Sequence, residues 1–162
     1  MDKSGRYHVL CAVRGRPESR ETVSRAIDLA LEHKARLTFV HVVNADFLSP
    51  ATPMRSPLRI VYQQLQHIAE FAMLILVDRA NRRGVEKVNH ILRTGDIRKQ
   101  LNQVIDEIHP DAFVIGKPPS RAKESEFNPG EFEALIDEIK QRSDLEIFIV
   151  NTEDFEPQAE NI

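Results

Sequence analysis

The sequence has a single cysteine, Cys11, among its 162 residues. Without a second cysteine the chain cannot form an internal disulfide, and this composition fits the reducing cytoplasm. A surplus of basic residues is missing too, because the formal net charge is -3. Nucleic-acid binding favours a basic excess, so we expect no nucleic-acid partner.

Long apolar runs are also missing. Every uninterrupted apolar run falls far short of the roughly 20 residues that a membrane helix needs, and the N-terminal residues contain no apolar core of signal-peptide length. We therefore expect a cytoplasmic protein without a membrane partner. The length predicts a single domain over residues 1–162, with a core at about 6–151 and an acidic tail at 152–162.

Sequence signals of catalysis are absent. No serine or cysteine lies in a nucleophile-elbow sequence such as GxSxG, and the six histidines lack the HxxxH or HxH spacing of metal ligands. We predict no catalytic residue, no metal site and no enzyme activity. His41 lies in an apolar strand and is expected to be a buried, hydrogen-bonded histidine. Cys11 is expected to behave as a small core hydrophobe.

The clearest pattern lies at residues 95–116, where a turn, a helix, a second turn and a strand follow one another. The helix has one apolar stripe at 3.6-residue spacing. This stripe consists of Ile97, Leu101, Val104, Ile105 and Ile108. Pro110 then ends the helix. Residues 112–115 form a continuous apolar run, which is typical of a strand buried on both faces. Gly116 is predicted to end this strand, at the edge where open α/β sheets bind ligands.

The remaining chain divides in the same way. Strands are predicted at residues 8–13, 37–43, 87–92 and 145–150, in addition to 112–115. Helices are predicted from residue 18 to about 33, at 58–83 and around Phe132–Ile139, and loops at 44–57 and 117–130. The more alternating third strand is expected at an edge of the sheet. Strands that alternate with helices predict an α/β fold with a parallel sheet.

The helix at residues 58–83 carries its own apolar stripe. Its members are Val61, Leu65, Ile68, Ala72, Ile75 and Leu76. After Phe71 the helix is apolar on nearly every side. We therefore expect its second half to pack between other elements or against a partner.

Across nearly its whole length the chain resembles the universal stress protein family. The matching pieces are the strands at residues 8–13 and 37–43, the turn at Gly95-Asp96, and the run from Pro110 to Gly116. The resemblance implies an open five-stranded parallel sheet in the order 3-2-1-4-5, with helices on both faces. Many members bind ATP at the carboxyl edge of this sheet. They use an aspartate after strand one and a G-x2-G-x9-G-[ST] motif after strand four.

This sequence departs from that motif. Arg14 stands in place of the aspartate, and Gly116 matches the first glycine. Pro119 replaces the second glycine, and it has no N–H to offer a phosphate. If Gly130 is taken as the third glycine, Glu131 stands in the hydroxyl position, where its carboxylate would repel a triphosphate.

Two functions remain open at this point. One is a non-enzymatic stress-response or regulatory module that acts through protein contacts and holds no cofactor. The other is an ATP-binding protein, with slow ATPase activity at most. The resemblance places a vestigial nucleotide site at Val13, Arg14, Val42, Gly95, Gly116, Lys117 and Gly130. A different anion site could use Arg14 and Lys117 with Arg121 and Lys123, but neighbouring glutamates favour a solvated loop of mixed charge.

The strand at residues 145–150 predicts a homodimer. In the order 3-2-1-4-5 it is an edge, and an edge strand presents unpaired backbone groups. Its sequence, LEIFIV, has one charge near its start and no proline, glycine or lysine. Two copies that pair about a twofold axis would satisfy this edge. The alternative is an edge covered by the acidic tail. The family resemblance supports the homodimer, since many members dimerise through this strand.

Overall fold

The computed structural model describes residues 6–14, 19–45, 48–49, 51–118, 130–142 and 144–151. Strands and helices alternate along these residues. The strands are β1 (His8–Ala12), β2 (Arg36–Val43), β3 (Val88–Thr94), β4 (Ala112–Lys117) and β5 (Glu146–Asn151). The helices are α1 (Ser19–His33), α2 (Pro57–Arg83), α3 (Ile97–Ile108) and α4 (Glu131–Arg142). The predicted acidic tail and most of the predicted loop at 117–130 lie outside the described residues.

The five strands form one parallel sheet in the order β3-β2-β1-β4-β5. In the centre, Cys11 of β1 is in register with Phe39 of β2 and Val114 of β4. The α/β fold and the strand order implied by the family resemblance are both confirmed. β3 and β5 are the two edges, as predicted.

The sheet separates two apolar layers. Val9 and Cys11 of β1 belong to the layer with α1 and α2, and Leu10 belongs to the layer with α3 and α4. All three residues have an exposed fraction of 0%. Burial also raises the pKa of the Cys11 thiol, so the thiol stays protonated and inert. Cys11 is the small core residue that its position in β1 predicts.

The turns around α3 follow from local chemistry. The Asp96 carboxylate caps the helix by accepting a hydrogen bond from the Lys99 backbone N–H at 2.8 Å. His109 ends the helix in the left-handed conformation, with φ 47°, immediately before Pro110. The predicted bounds of this helix are confirmed at both ends. Gly84, with φ 108°, likewise closes α2 as predicted.

Some predicted strand bounds are wrong. β4 does not end before Gly116, because Gly116 and Lys117 continue in register with Val150 and Asn151 of β5. β3 runs on to Thr94, where its last residues stay in register with the end of β2. β1 ends at Ala12, and β5 lies one residue later than predicted. β3 is half-buried at almost every position and shows no alternation, since α2 and α3 both contact it.

The orientation of α2 differs most from expectation. The residues it buries against the sheet are Ala69, Met73 and Ala80. The predicted apolar stripe is largely exposed, with exposed fractions of 65% for Ile68 and 46% for Ile75. The second half of α2 is therefore not packed between elements of the described chain.

Side-chain size and polarity explain this choice of face. Ala69 and Ala80 are small enough to let the helix backbone approach β2 and β3 closely. Earlier on the same face, the Tyr62 hydroxyl donates a hydrogen bond to Thr94 Oγ1 at 2.9 Å, and Gln66 donates to the Tyr62 oxygen at 2.7 Å. These hydrogen bonds form where α2 meets the end of β3. The bulkier stripe is left facing outward.

α2 is also long and apolar enough to cross a membrane. Length and composition alone are weak grounds for such a role, because core helices of other proteins meet the same criteria. Here the helix is tied to the sheet through Met73 and its neighbours on one face.

Two substitutions test which face of α2 supports the fold. Met73→Ala removes a side chain that is 1% exposed, and it should lower the free energy of unfolding by about 2–5 kcal/mol. Leu74→Ala removes a side chain that is 51% exposed, and it should change stability by about 0.5 kcal/mol or less. Urea unfolding followed by circular dichroism measures both. Equal losses would show that the assigned face is wrong.

Candidate functional site

The carboxyl edge of the sheet collects the residues that sequence analysis predicted for a site. Val13 and Arg14 follow β1, and Val42 lies near the end of β2. Gly95 follows β3, and Gly116 and Lys117 end β4. Because all strands are parallel, their ends meet at one edge. Val13 and Val42 are each 5% exposed, so they form the floor of this edge.

Arg14 bridges the point where the strand order reverses. The chain leaves β1 toward β2 on one side, and β4 lies on the other. In open α/β sheets the crevice between two such strands is the usual ligand position. The half-buried Arg14 guanidinium spans it and donates a hydrogen bond to the Gly116 carbonyl oxygen at 2.5 Å. A charge-assisted bond of this kind holds the side chain in place.

His41 supports the same edge from β2. Its Nδ1 lies 2.8 Å from the Val13 carbonyl oxygen. The Val13 N–H donates to the Val40 carbonyl at 2.9 Å, so both backbone groups of Val13 are bonded to β2. The predicted hydrogen bond of His41 is confirmed. Its predicted burial is wrong, because the ring lies near the rim of the edge and stays partly exposed.

Gly95 makes the turn between β3 and α3. Its φ is 131°, a conformation that L side chains rarely adopt. Its N–H donates to the Val43 carbonyl at 3.0 Å, which closes the turn onto β2. The next residue, Asp96, occupies the helix N-terminus with its own carboxylate. The α3 terminus therefore already has an anionic cap.

Gly130 stands immediately before α4, with φ 83° and nothing within 4 Å of a Cβ built there. Glu131 follows as the first residue of the helix. Pro119, Arg121 and Lys123, which the sequence analysis also named, lie outside the described residues.

Sequence analysis missed the hydrogen bonds that join α2 to this edge. Gln66, Tyr62 and Thr94 form a chain from the helix to the end of β3, next to Gly95. A signal for it exists in the sequence, since Tyr62, Gln66, Ala69 and Met73 recur at helical spacing, about a quarter turn around the helix from the more apolar stripe.

Titratable groups also lie away from the carboxyl edge. Within the described ranges, no group of three or more His, Cys, Asp or Glu residues is placed to hold a metal ion. His8, at the amino end of β1, has its Nε2 2.7 Å from the buried Thr38 hydroxyl. Burial is the main cause that lowers the pKa of His8, followed by the charge of Arg36. This pair is remote from the carboxyl edge.

The structure is an open, doubly wound parallel sheet. In α/β proteins of this class, ligands usually bind at the carboxyl edge, where the strand order reverses. Comparison with known proteins then narrows the class. The sequence model of the universal stress protein family matches residues 6–125. The chain belongs to the universal stress protein family.

Solved structures agree on the fold. The universal stress protein UspA from Lactobacillus plantarum is similar with a TM-score of 0.71 and 14% identity, over 89% of this chain and 97% of that one. A family member from Burkholderia pseudomallei has a TM-score of 0.64 and 19% identity, over 88% and 94%. The protein from Archaeoglobus fulgidus in complex with dAMP has a TM-score of 0.55 and 13% identity, over 89% and 96%. No curated protein sequence matched.

Proposed function

We propose that this universal stress protein is a non-enzymatic stress-response or regulatory module that acts through protein contacts and binds no nucleotide at its carboxyl edge. The observation that supports the proposal is the bond from Arg14 to the Gly116 carbonyl. It puts a guanidinium across the crevice in which a ligand of this fold class would lie.

The chemistry of arginine supports this proposal. A guanidinium has five N–H donors and no acceptor. It cannot accept the hydrogen bonds that a ribose hydroxyl or an adenine amino group would donate to a carboxylate at the same place. The family resemblance implies such a carboxylate in ATP-binding members. Arg14 therefore offers adenosine no hydrogen-bond acceptor, and it bonds to another residue of the protein instead.

The phosphate side of the edge is also altered. Glu131 begins α4, so the helix that follows the family's phosphate motif starts with a carboxylate. Helix N-termini favour anions because of their free N–H groups and positive dipole. A carboxylate at this position competes with phosphate and repels it.

Nucleotide binding, with slow ATPase activity at most, is the second candidate. It is favoured by the Archaeoglobus fulgidus protein, whose structure contains dAMP. The left-handed turns at Gly95 and Gly130 leave backbone close to the edge without an intervening side chain. Lys117 is exposed at the end of β4 and supplies a positive charge. Binding of an anion other than a nucleotide therefore belongs to this second candidate as well.

A thermal-shift titration separates the two candidates. Millimolar Mg-ATP, dAMP and AMP should each leave the melting temperature unchanged. A ligand at 100 times its dissociation constant would add about 2.7 kcal/mol, which corresponds to a rise of roughly 5–10 °C for a domain of this size. Inorganic phosphate is the control for a simple anion site. A rise of several degrees with a nucleotide, but not with phosphate, would reject the nucleotide-free proposal.

The variant Arg14→Asp tests whether the arginine alone prevents binding. We expect it to bind Mg-ATP no better than the unaltered protein, since Pro119 has no N–H to offer a phosphate and Glu131 still begins α4. Arg14→Leu is the control for loss of the bond to Gly116 without a new carboxylate. Isothermal titration calorimetry measures both variants. Tight ATP binding by Arg14→Asp would mean that the loop matters less than the charge.

The proposal also includes a homodimer through β5. Ile149 on this edge strand is 45% exposed, and among the described strands β5 pairs only with β4. Light scattering at micromolar concentration should give a dimer. Ile149→Lys should weaken it at least tenfold, because a charge on an edge strand opposes edge-to-edge pairing. Ile149→Thr, which keeps the β-branch, is the control. An unaltered protein that is monomeric at these concentrations would disprove the homodimer.

A further inference from the structure

The outward stripe of α2 has the spacing of a coiled-coil seam. Counted from Leu58, its members follow one another at alternating intervals of three and four residues. They are Leu58, Val61, Leu65, Ile68, Ala72 and Ile75. This is the a/d pattern of a helix that pairs with another helix. A seam of this kind is narrower than the face by which a helix packs on a sheet, and α2 uses a separate face for the sheet.

Five of the six seam residues are exposed although they are apolar, and Ala72 is half-buried. Leu58, Val61, Leu65, Ile68 and Ile75 have exposed fractions of 46%, 49%, 41%, 65% and 46%. Phe71, which flanks the seam, is 67% exposed. A soluble monomer rarely keeps such a contiguous apolar surface uncovered. The helix has 27 residues, so the seam covers more than half of its length.

We infer that α2 pairs with the α2 helix of a second copy of this chain, antiparallel and about a twofold axis between Leu65 and Ile68. In an antiparallel seam each a position faces a d position of the partner. One register places all six apolar positions against one another. Its layers are Leu58 with Ile75, Val61 with Ala72, and Leu65 with Ile68, each occurring twice.

Charge decides the direction of the two helices. The next seam position after Ile75 is Arg79. A parallel pair would bring two Arg79 side chains face to face inside the seam, where like charges destabilise the pair. In the antiparallel register Arg79 lies at the level of Met54, and the two arginines are roughly 37 Å apart at 1.5 Å per residue. Met54 is itself 83% exposed, so it is free to cover the aliphatic part of Arg79.

A second copy also fits the stripe better than a lipid surface does. The exposed surface of α2 carries Glu70 and Asp78 as well as arginines. Arg82 is paired with Asp78 and Arg83 with Asp28, so little positive charge is left to attract anionic headgroups. Amphipathic helices that bind membranes carry mainly Lys and Arg on the polar side. The inference does not depend on whether the carboxyl edge binds a nucleotide, and it uses a surface other than β5.

Cysteine cross-linking tests the pairing and its direction. The single native cysteine, Cys11, is buried, so an introduced thiol is the reactive one. Val61→Cys and Ala72→Cys should form an interchain disulfide when the two variants are mixed and mildly oxidised. Neither should cross-link alone, because each position is roughly 16 Å from its own copy along the axis, and a disulfide needs Cα atoms within about 7 Å. No cross-link in the mixture, or cross-linking of one variant alone, would overturn the inference.

Sedimentation equilibrium adds a measurement that needs no cysteine. Ile68→Glu changes an exposed side chain, so the fold should persist by circular dichroism. We expect it to raise the dissociation constant of the α2 contact at least tenfold and to lower the mass at high concentration. Gln63→Glu, with the same added charge on the polar side of α2, should leave the mass unchanged. An unchanged mass for Ile68→Glu would overturn the inference. The same conclusion would follow if vesicles of anionic lipid were also found to bind the unaltered protein.

Discussion

The burial of β1 and β4 between two layers of helices is the constraint on which the other features depend. Val9, Leu10, Cys11 and Val114 are all 0% exposed. Their amino ends are tied by Asp111, whose carboxylate accepts from the His8 N–H at 2.8 Å and whose N–H donates to the His8 carbonyl at 2.9 Å. With both faces covered, ligands and partners can reach these strands only at their ends. The side chains at the carboxyl ends, Arg14 above all, therefore decide what the sheet can bind.

Much of this framework could be predicted from the sequence because local and tertiary signals coincide there. The uninterrupted apolar run at 112–115 is what a strand buried on both faces requires, and it lies in the centre of the sheet. The bounds of α3 follow from a cap at Asp96 and a stop at Pro110, both of which act within a few residues. The end of β4 could not be found in this way, since Gly116 and Lys117 are held in the strand by residues of β5.

The face of α2 and the contact of Arg14 show where prediction from sequence fails. α2 has two stripes at helical spacing, and the more apolar one suggested itself as the core face. The sheet instead takes the stripe with small side chains and with Tyr62, because close approach and the hydroxyl of Thr94 are available there. Arg14 was placed correctly at the edge, but its partner, Gly116, is 102 residues away in the chain. No local pattern encodes such a pair.

The two edge strands of the sheet, β3 and β5, differ in how far they are protected from pairing with other molecules. β3 carries polar residues such as Asn89 and His90, and its Arg93 forms an ion pair with Glu107 of α3, so charge and polarity protect this edge. β5 lacks such protection over Ile147–Val150. The exposed stripe of α2 belongs to the β2 and β3 side, because α2 packs on these strands. Self-pairing at β5 and at α2 would thus use two different twofold axes on opposite sides of one chain. Two such axes produce a closed tetramer when they intersect at right angles and an open chain when they do not intersect. A protein with both contacts therefore assembles beyond the dimer, and their relative strength sets which dimer forms first.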